Sequence, residues 1–206
     1  MLKQAHSSDL GLLVVRGFFA TEECDRLRSE ARSAVALPAL VVKRNRVSLD
    51  EETRRTHFLS VPTTAVTFVY ERLMDLRPHL ESHYGVRLGS CEQPQFLVYR
   101  EGDFFVAHQD TGDHPDHPLD VRHREVSVVL FLNDQALHPG PDVFGGGSLT
   151  FFDLSETTTW STCRVSVTGE RGLLVAFPSG LFHQVMKIHH GERFTVVSWF
   201  PGEDSK

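Results

Sequence analysis

From Gly85 onward the chain is a succession of short runs of β-branched, aliphatic and aromatic residues: PQFLVYRE, FFVAH, EVSVVLFLN, SLTFF, TCRVSV, GLLVAF, FHQVMKI and RFTVVSWF. Gly, Pro, Asp and Asn break them, and each has the length of a strand. About eight strands behind a helical N-terminal part predict an α+β chain, with helices buttressing one face of a largely antiparallel double sheet. No repeat, linker or low-complexity segment divides the sequence. The 206 residues, 40% of them hydrophobic, therefore read as a single domain (1-206), with a strand and scaffold helices in 1-85 and the sheet core in 86-206.

The N-terminal part reads as follows. LGLLVVRGFF, Leu10 to Phe19, is a short strand, and Thr21 caps a helix whose Glu22 and Glu23 complement the positive end of its dipole. Cys24, Leu27, Ala31 and Ala34 recur at helical spacing, and Pro38 ends the helix. The stretch ALVVKRNRVSLDEETRR starts like a strand and continues with mixed charges from Lys43 to Arg55, which reads either as a solvated strand and turn or as a contact for an acidic substrate. A second helix runs from Pro62 to Tyr84, with Gly85 as its C-terminal cap; Pro78 is expected to kink or split it.

Charge and cysteine usage narrow the function classes. A net charge of -6 gives no electrostatic footprint for nucleic acid or an anionic membrane. Cys24, Cys91 and Cys163 have no paired spacing, so neither a zinc ribbon nor a disulfide framework is implied, and a reducing cytoplasmic setting fits. The N-terminus lacks the apolar core of a signal peptide, and no apolar run approaches the roughly 18 residues of a spanning helix.

Chemistry enters at YREGDFFVAHQD, Tyr99 to Asp110. Residues two apart on a strand share a face, so His108 and Asp110 can converge on one ion. An imidazole, a carboxylate and one further His form the facial triad of non-haem iron(II) oxygenases, which leaves coordination positions open. Among the twelve histidines, His114 and His117 each precede a proline in an acidic loop. His183 is the better third ligand, since it begins a strand-like run after GLLVAFPSGLF. Ten residues later Arg193 opens the next strand, offering a planar fork for a carboxylate, with Thr195 on the same side.

The ordered set of Tyr99, Gly102, His108-x-Asp110, Gly145-Gly146-Gly147-Ser148-Leu149, Gly172 with Pro178, His183, Arg193 and Trp199 resembles the catalytic domain of prolyl 4-hydroxylase-like 2-oxoglutarate and iron(II)-dependent oxygenases. These motifs span roughly half the chain. The resemblance implies a double-stranded β-helix, a distorted jelly roll, with the metal between its sheets. His108, Asp110 and His183 would bind Fe(II), and Arg193 would pair with the distal carboxylate of the cosubstrate 2-oxoglutarate, with Tyr99 beside it. O2 would be consumed, succinate and CO2 released, and an unactivated C-H bond hydroxylated. A carboxylate at Asp110 favours hydroxylation over halogenation, while desaturation and epoxidation stay open. Collagen-modifying relatives carry Lys at the position of Arg193. The chain departs from some relatives at Phe131, where they carry a second tyrosine, and Thr195 is the candidate to compensate.

Arg124, just before the central strand, and Trp199, beyond the Arg193-Thr195 face, are the substrate-pocket candidates, and the loop Thr111 to Arg124 is the candidate lid. With no peptide-binding accessory domain in the sequence, an amino acid or other small molecule is favoured as substrate over a prolyl residue of a protein or peptide. The reading from another class is a non-catalytic jelly roll holding zinc at the same three ligands, for which Arg193 and Tyr99 would have no purpose. Oligomeric state is left open.

Overall fold

The structure, a computed structural model, describes residues 4–7, 10–39, 41–43, 46–48, 50–112, 119–152 and 164–203. Cys163, His114, His117 and the middle of the proposed lid lie outside the described residues. All eight expected strands after Gly85 are present. Four of them build an eight-stranded antiparallel sheet in the order Gln4–Ser7, Leu12–Val15, Leu174–Pro178, Arg124–Phe131, Arg193–Pro201, Gln95–Tyr99, His57–Ser60 and Val35–Pro38. The other four lie in a five-stranded sheet ordered Arg164–Val167, Leu149–Phe152, His183–Val185, Phe104–His108 and Arg54–Arg55.

The two-residue period of the large sheet divides the core in two. Phe96 and Val98, Val126, Val128 and Leu130, and Phe194, Val196 and Phe200 face one way and pack with Leu27, Ala31, Val69, Leu73 and Leu80 of the two long helices. Their alternates, Leu97 and Tyr99, Val129 and Phe131, and Val175 and Phe177, face the smaller sheet and join Leu149, Phe151 and Val185. The functional site belongs to this second layer. The helices Thr21–Arg32 and Thr63–Tyr84 are scaffold for the first, and Arg28 ties one to the sheet by donating to the Leu132 carbonyl at 3.1 Å. Among the described residues no helix is long and apolar enough to cross a membrane.

Several local expectations are corrected. The first strand is only Leu12–Val15, because Gly11 and Gly17 turn the chain at φ +64° and +66°. The first helix is capped at Ala20, whose amide donates to the Glu23 carboxylate at 2.8 Å; Thr21 is already helical. That helix stops at Arg32, and Pro38 instead closes the edge strand Val35–Pro38, where a missing donor costs no central ladder bond. Pro78 does not split the second helix, which stays one element with Leu73, Leu76 and Leu80 buried on either side, so packing outweighs one lost hydrogen bond. FHQVMKI is two strands, His183–Val185 in the small sheet and Ile188–Gly191 in a three-stranded one. Val41–Lys43 and Arg46–Ser48 pair as a hairpin, as the strand-and-turn reading expects.

Candidate metal and cosubstrate site

His108 ends its strand and His183 begins the neighbouring one, and the two are direct partners in the antiparallel ladder. Asp110 follows where the chain leaves the sheet, held by its amide donating to the Ser179 carbonyl at 2.9 Å. Nε2 of His108 lies 3.6 Å and Nε2 of His183 3.5 Å from the two Asp110 carboxylate oxygens, and the three ligand atoms fall within 4.8 Å of one another. In each imidazole Nδ1 faces a backbone carbonyl, Val106 at 2.8 Å and Leu181 at 2.9 Å. A proton on Nδ1 leaves the Nε2 lone pair turned toward the common centre.

Electrostatics suits a cation there. Burial presses the Asp110 carboxyl up, but the neighbouring His183 and His108 imidazoles and a hydrogen bond from Trp199 hold it well below the usual carboxylate range. Burial pushes His183 down to about 4 against the pull of Asp110, so at neutral pH it is an uncharged donor. Phe105 stacks on the His108 ring at 3.5 Å and Phe177 meets the His183 ring edge-on at 4.6 Å, fixing both orientations. Two imidazoles and one carboxylate on one side of a centre are the facial donor set of a non-haem iron(II) site, and the residues fit that ion.

The three ligands open onto a cavity of about 590 Å³ between the sheets. On its wall Arg193 is 1% exposed, opposite Tyr99 in the ladder. Its Nη1 donates to Thr195 Oγ1 at 3.3 Å, whereas Nε and Nη2 are buried without a partner. Burial pulls the guanidinium down to about 10, which leaves it a cation at neutral pH. A buried charge with two empty donors is costly alone and is satisfied by an anion that enters from the cavity. The dicarboxylate 2-oxoglutarate fits that demand. Phe131, where some relatives have tyrosine, faces Arg193 with its ring centre 4.7 Å from the guanidinium carbon, and Thr195 is its ladder partner.

Gly147, in the glycine turn, lies against the stem of Arg193. At φ +65°, an added Cβ would sit 2.3 Å from Ile188 Cδ1 and 3.1 Å from the Arg193 Cδ, so only glycine lets the arginine stem pass.

Arg124 and Trp199 both line the cavity, but neither is simply a free wall group. Arg124 forms a two-point ion pair with Glu92, at 2.6 and 2.7 Å, donates from Nη1 to the Asp110 carbonyl at 3.3 Å and stacks over Trp199 at 3.8 Å. The proposed lid contributes Val121 to the wall, and Thr111 Oγ1 donates to the Arg122 carbonyl at 3.2 Å across the loop. A helical turn, Leu119–Arg122, ends this segment where a plain loop was expected.

Glu92, Phe105 and Arg54 escape the sequence reading as site residues. Glu92 is a lone acid in an irregular segment, and nothing local announces a partner 32 positions away. Phe105 looks like an ordinary strand aromatic. Arg54 does have a signal, the charged stretch whose sharper reading was contact with an acidic substrate.

Comparison with known proteins agrees with this geometry. Residues 94–201 match the model of the 2OG-Fe(II) oxygenase superfamily. No curated protein sequence matches the chain. Among solved structures, the fold is similar to a Pseudomonas putida prolyl-4-hydroxylase, at TM-score 0.71 and 22% identity over 95% of both chains. A Trichoplax adhaerens prolyl hydroxylase, solved with a hypoxia inducible factor oxygen degradation domain peptide, gives TM-score 0.70 and 16% identity over 96% of this chain and 86% of that one. Streptomyces hygroscopicus HygX, solved with nickel, 2-oxoglutarate and hygromycin B, gives 0.64 and 15% over 95% and 84%. With its His-x-Asp and distant His meeting at one centre inside the matched region, the chain belongs to the 2OG-Fe(II) oxygenase superfamily.

Proposed function

We propose that this enzyme hydroxylates an unactivated C-H bond of an amino acid or another small molecule. Arg193 is the anchor for the distal carboxylate of 2-oxoglutarate, Tyr99 and Thr195 complete its pocket, and Arg124 and Trp199 form the substrate wall. The observation that carries the cosubstrate assignment is the buried Arg193 guanidinium, with Nε and Nη2 unpartnered on the wall of the cavity that holds the triad. A closed structural zinc site would give that charge nothing to bind.

Bound iron(II) supplies the oxidising chemistry, using O2 and 2-oxoglutarate and releasing succinate and CO2. The chain's own residues hold and orient. His108, Asp110 and His183 fix the metal on one side, Arg193 sets the direction from which the oxoacid enters, and Phe105, Phe151 and Phe177 keep water from the ligand rings. No general acid or base is required of the protein.

Support for a small substrate is the size of the space. The cavity of about 590 Å³ lies within the roughly 300–1,000 Å³ of small-molecule sites and must also hold 2-oxoglutarate. The alternative is a prolyl residue of a peptide, the chemistry named for two of the fold neighbours. Single-domain organisation across 1-206 is supported by the scaffold helices sharing one core with the sheet strands. A cytoplasmic setting is supported by the free, buried thiols of Cys24 and Cys91, each pushed up to about 11 by burial. The test is succinate formation from Fe(II) and 2-oxoglutarate, screened with amino acids, metabolites and proline-containing peptides. Stimulation by a free small molecule supports the proposal, and stimulation by peptides alone replaces it with the alternative.

A further inference from the structure

We propose that the substrate of this cavity carries a carboxylate, and that Arg54 receives it. The proposal rests on the oxygenase reading of the same site and adds the class of molecule that enters it.

Iron(II) bound by Asp110 leaves one positive charge, and dianionic 2-oxoglutarate paired with Arg193 leaves one negative, so the loaded centre is neutral. Arg124 is neutralised by Glu92 at 2.6 and 2.7 Å. What remains is Arg54, which lines the same cavity. Among the described residues no carboxylate pairs with it. Its guanidinium carbon lies over Phe58 at 5.3 Å and Phe105 at 4.7 Å, and its Nε is buried without a hydrogen-bond partner. The next residue behaves differently, since Arg55 reaches Glu51 at 3.9 Å.

The placement is suited to recognition. Arg54 pairs in register with Phe105, and the Phe105 ring stacks on His108 at 3.5 Å. One aromatic ring therefore separates the guanidinium from a metal ligand. Phe58 and Phe105 both lie against the guanidinium, and the planar N-H edge of an arginine matches a carboxylate in two-point geometry. A molecule with a carboxylate on Arg54 and its reacting C-H at the metal would lie along the cavity wall that both share. Gln95 on the same wall offers an uncharged polar neighbour. A purely structural Arg54, held only by its two rings, would take no part in choosing between an acid and its amide.

The test uses the full chain loaded with Mn(II) and 2-oxoglutarate, reading metal-induced broadening of ligand proton resonances by NMR. The probes are matched pairs: hexanoate and hexanamide, L-proline and L-prolinamide, and a glycyl-proline dipeptide with its amide. The acids are expected to show apparent affinities at least tenfold above their amides, as for a charge-assisted contact. Arg54→Gln is expected to erase that ratio, and Arg54→Lys to restore part of it, with the 2-oxoglutarate resonances still broadened in both. A dipeptide acid that outcompetes the free acids would place the carboxylate at a peptide C-terminus. Equal broadening of acids and amides, no broadening by any acid, or a preference that survives Arg54→Gln overturns the proposal. If the 2-oxoglutarate resonances themselves are not broadened by the protein, the oxygenase reading fails instead.

Discussion

Arg124 Nη1 donates to the backbone carbonyl of Asp110 at 3.3 Å while the rest of the same guanidinium grips Glu92. The metal-ligating turn is thus braced by an ion pair that never touches the ligand oxygens, and Trp199, stacked under Arg124, is one of the groups that lower the Asp110 carboxyl. Groups of this kind set ligand orientation, and their loss typically weakens metal affinity roughly 10- to 100-fold. Arg124→Ala is expected to weaken Mn(II) binding about tenfold, and Glu92→Gln to shift it in the same direction by less. Calorimetric titration of the metal-free protein checks both.

Arg193 supplies the second prediction. Its side chain is buried with two unpartnered donors, so in the metal-free protein it costs stability, which 2-oxoglutarate bound at this proposed anchor is expected to recover. Arg193→Leu should raise the melting temperature of the metal-free protein. It should also abolish the further rise that wild type shows with 2-oxoglutarate and Mn(II), while Mn(II) affinity alone is kept. A thermal melt with and without each component reads all three.

Gly147→Ala tests the path of the arginine stem. The new methyl would meet Ile188 at 2.3 Å in a backbone conformation of φ +65°, and Arg193 Cδ at 3.1 Å. A loss of about 1–3 kcal/mol in folding stability is expected from the strained backbone. The 2-oxoglutarate requirement should rise with it, because the displaced atoms include the anchor. Urea unfolding and the KM for 2-oxoglutarate are the measurements.

The fourth prediction concerns acid. Burial lowers the folded His183 imidazole from 6.5 to about 4, so between those values the unfolded chain takes up a proton that the folded chain refuses. Stability is therefore complete above about 6.5 and is lost as pH falls toward 4. Asp110, held below its ordinary 3.8, acts in the same direction at still lower pH. The melting temperature of the metal-free protein should be flat from pH 7 to 8 and decline below 6.5, and His183→Gln should give a shallower decline.

Much of this site is legible in the sequence because its parts sit on strands, where a two-residue period tells which face each side chain takes. Tyr99, Arg193 and Thr195 share the inner face for that reason, whereas His183, on a strand of only three residues, is legible from its place at the start of a strand-like run and falls beside His108 through ladder pairing. The missing parts lack such a period. The strands Asp134–Gln135 and Val143–Gly146 are too short to carry an alternation signal. Glu92 lies outside any element, so its grip on Arg124 is set only by tertiary packing. Pro38 does not end the first helix and Pro78 does not split the second for one reason: proline removes a donor, and whether that ends an element depends on whether the donor was needed. At an edge strand it was not, and within the second helix packing outweighed it.

The most direct test is anaerobic addition of Fe(II) and 2-oxoglutarate to the metal-free protein, read by visible absorption. The account predicts a charge-transfer band that requires both components. It should vanish in His183→Ala and in Asp110→Ala, and in Arg193→Ala return only at a much higher 2-oxoglutarate concentration. A band that persists unchanged in His183→Ala or Asp110→Ala, or that appears in Arg193→Ala at the wild-type concentration, would contradict it.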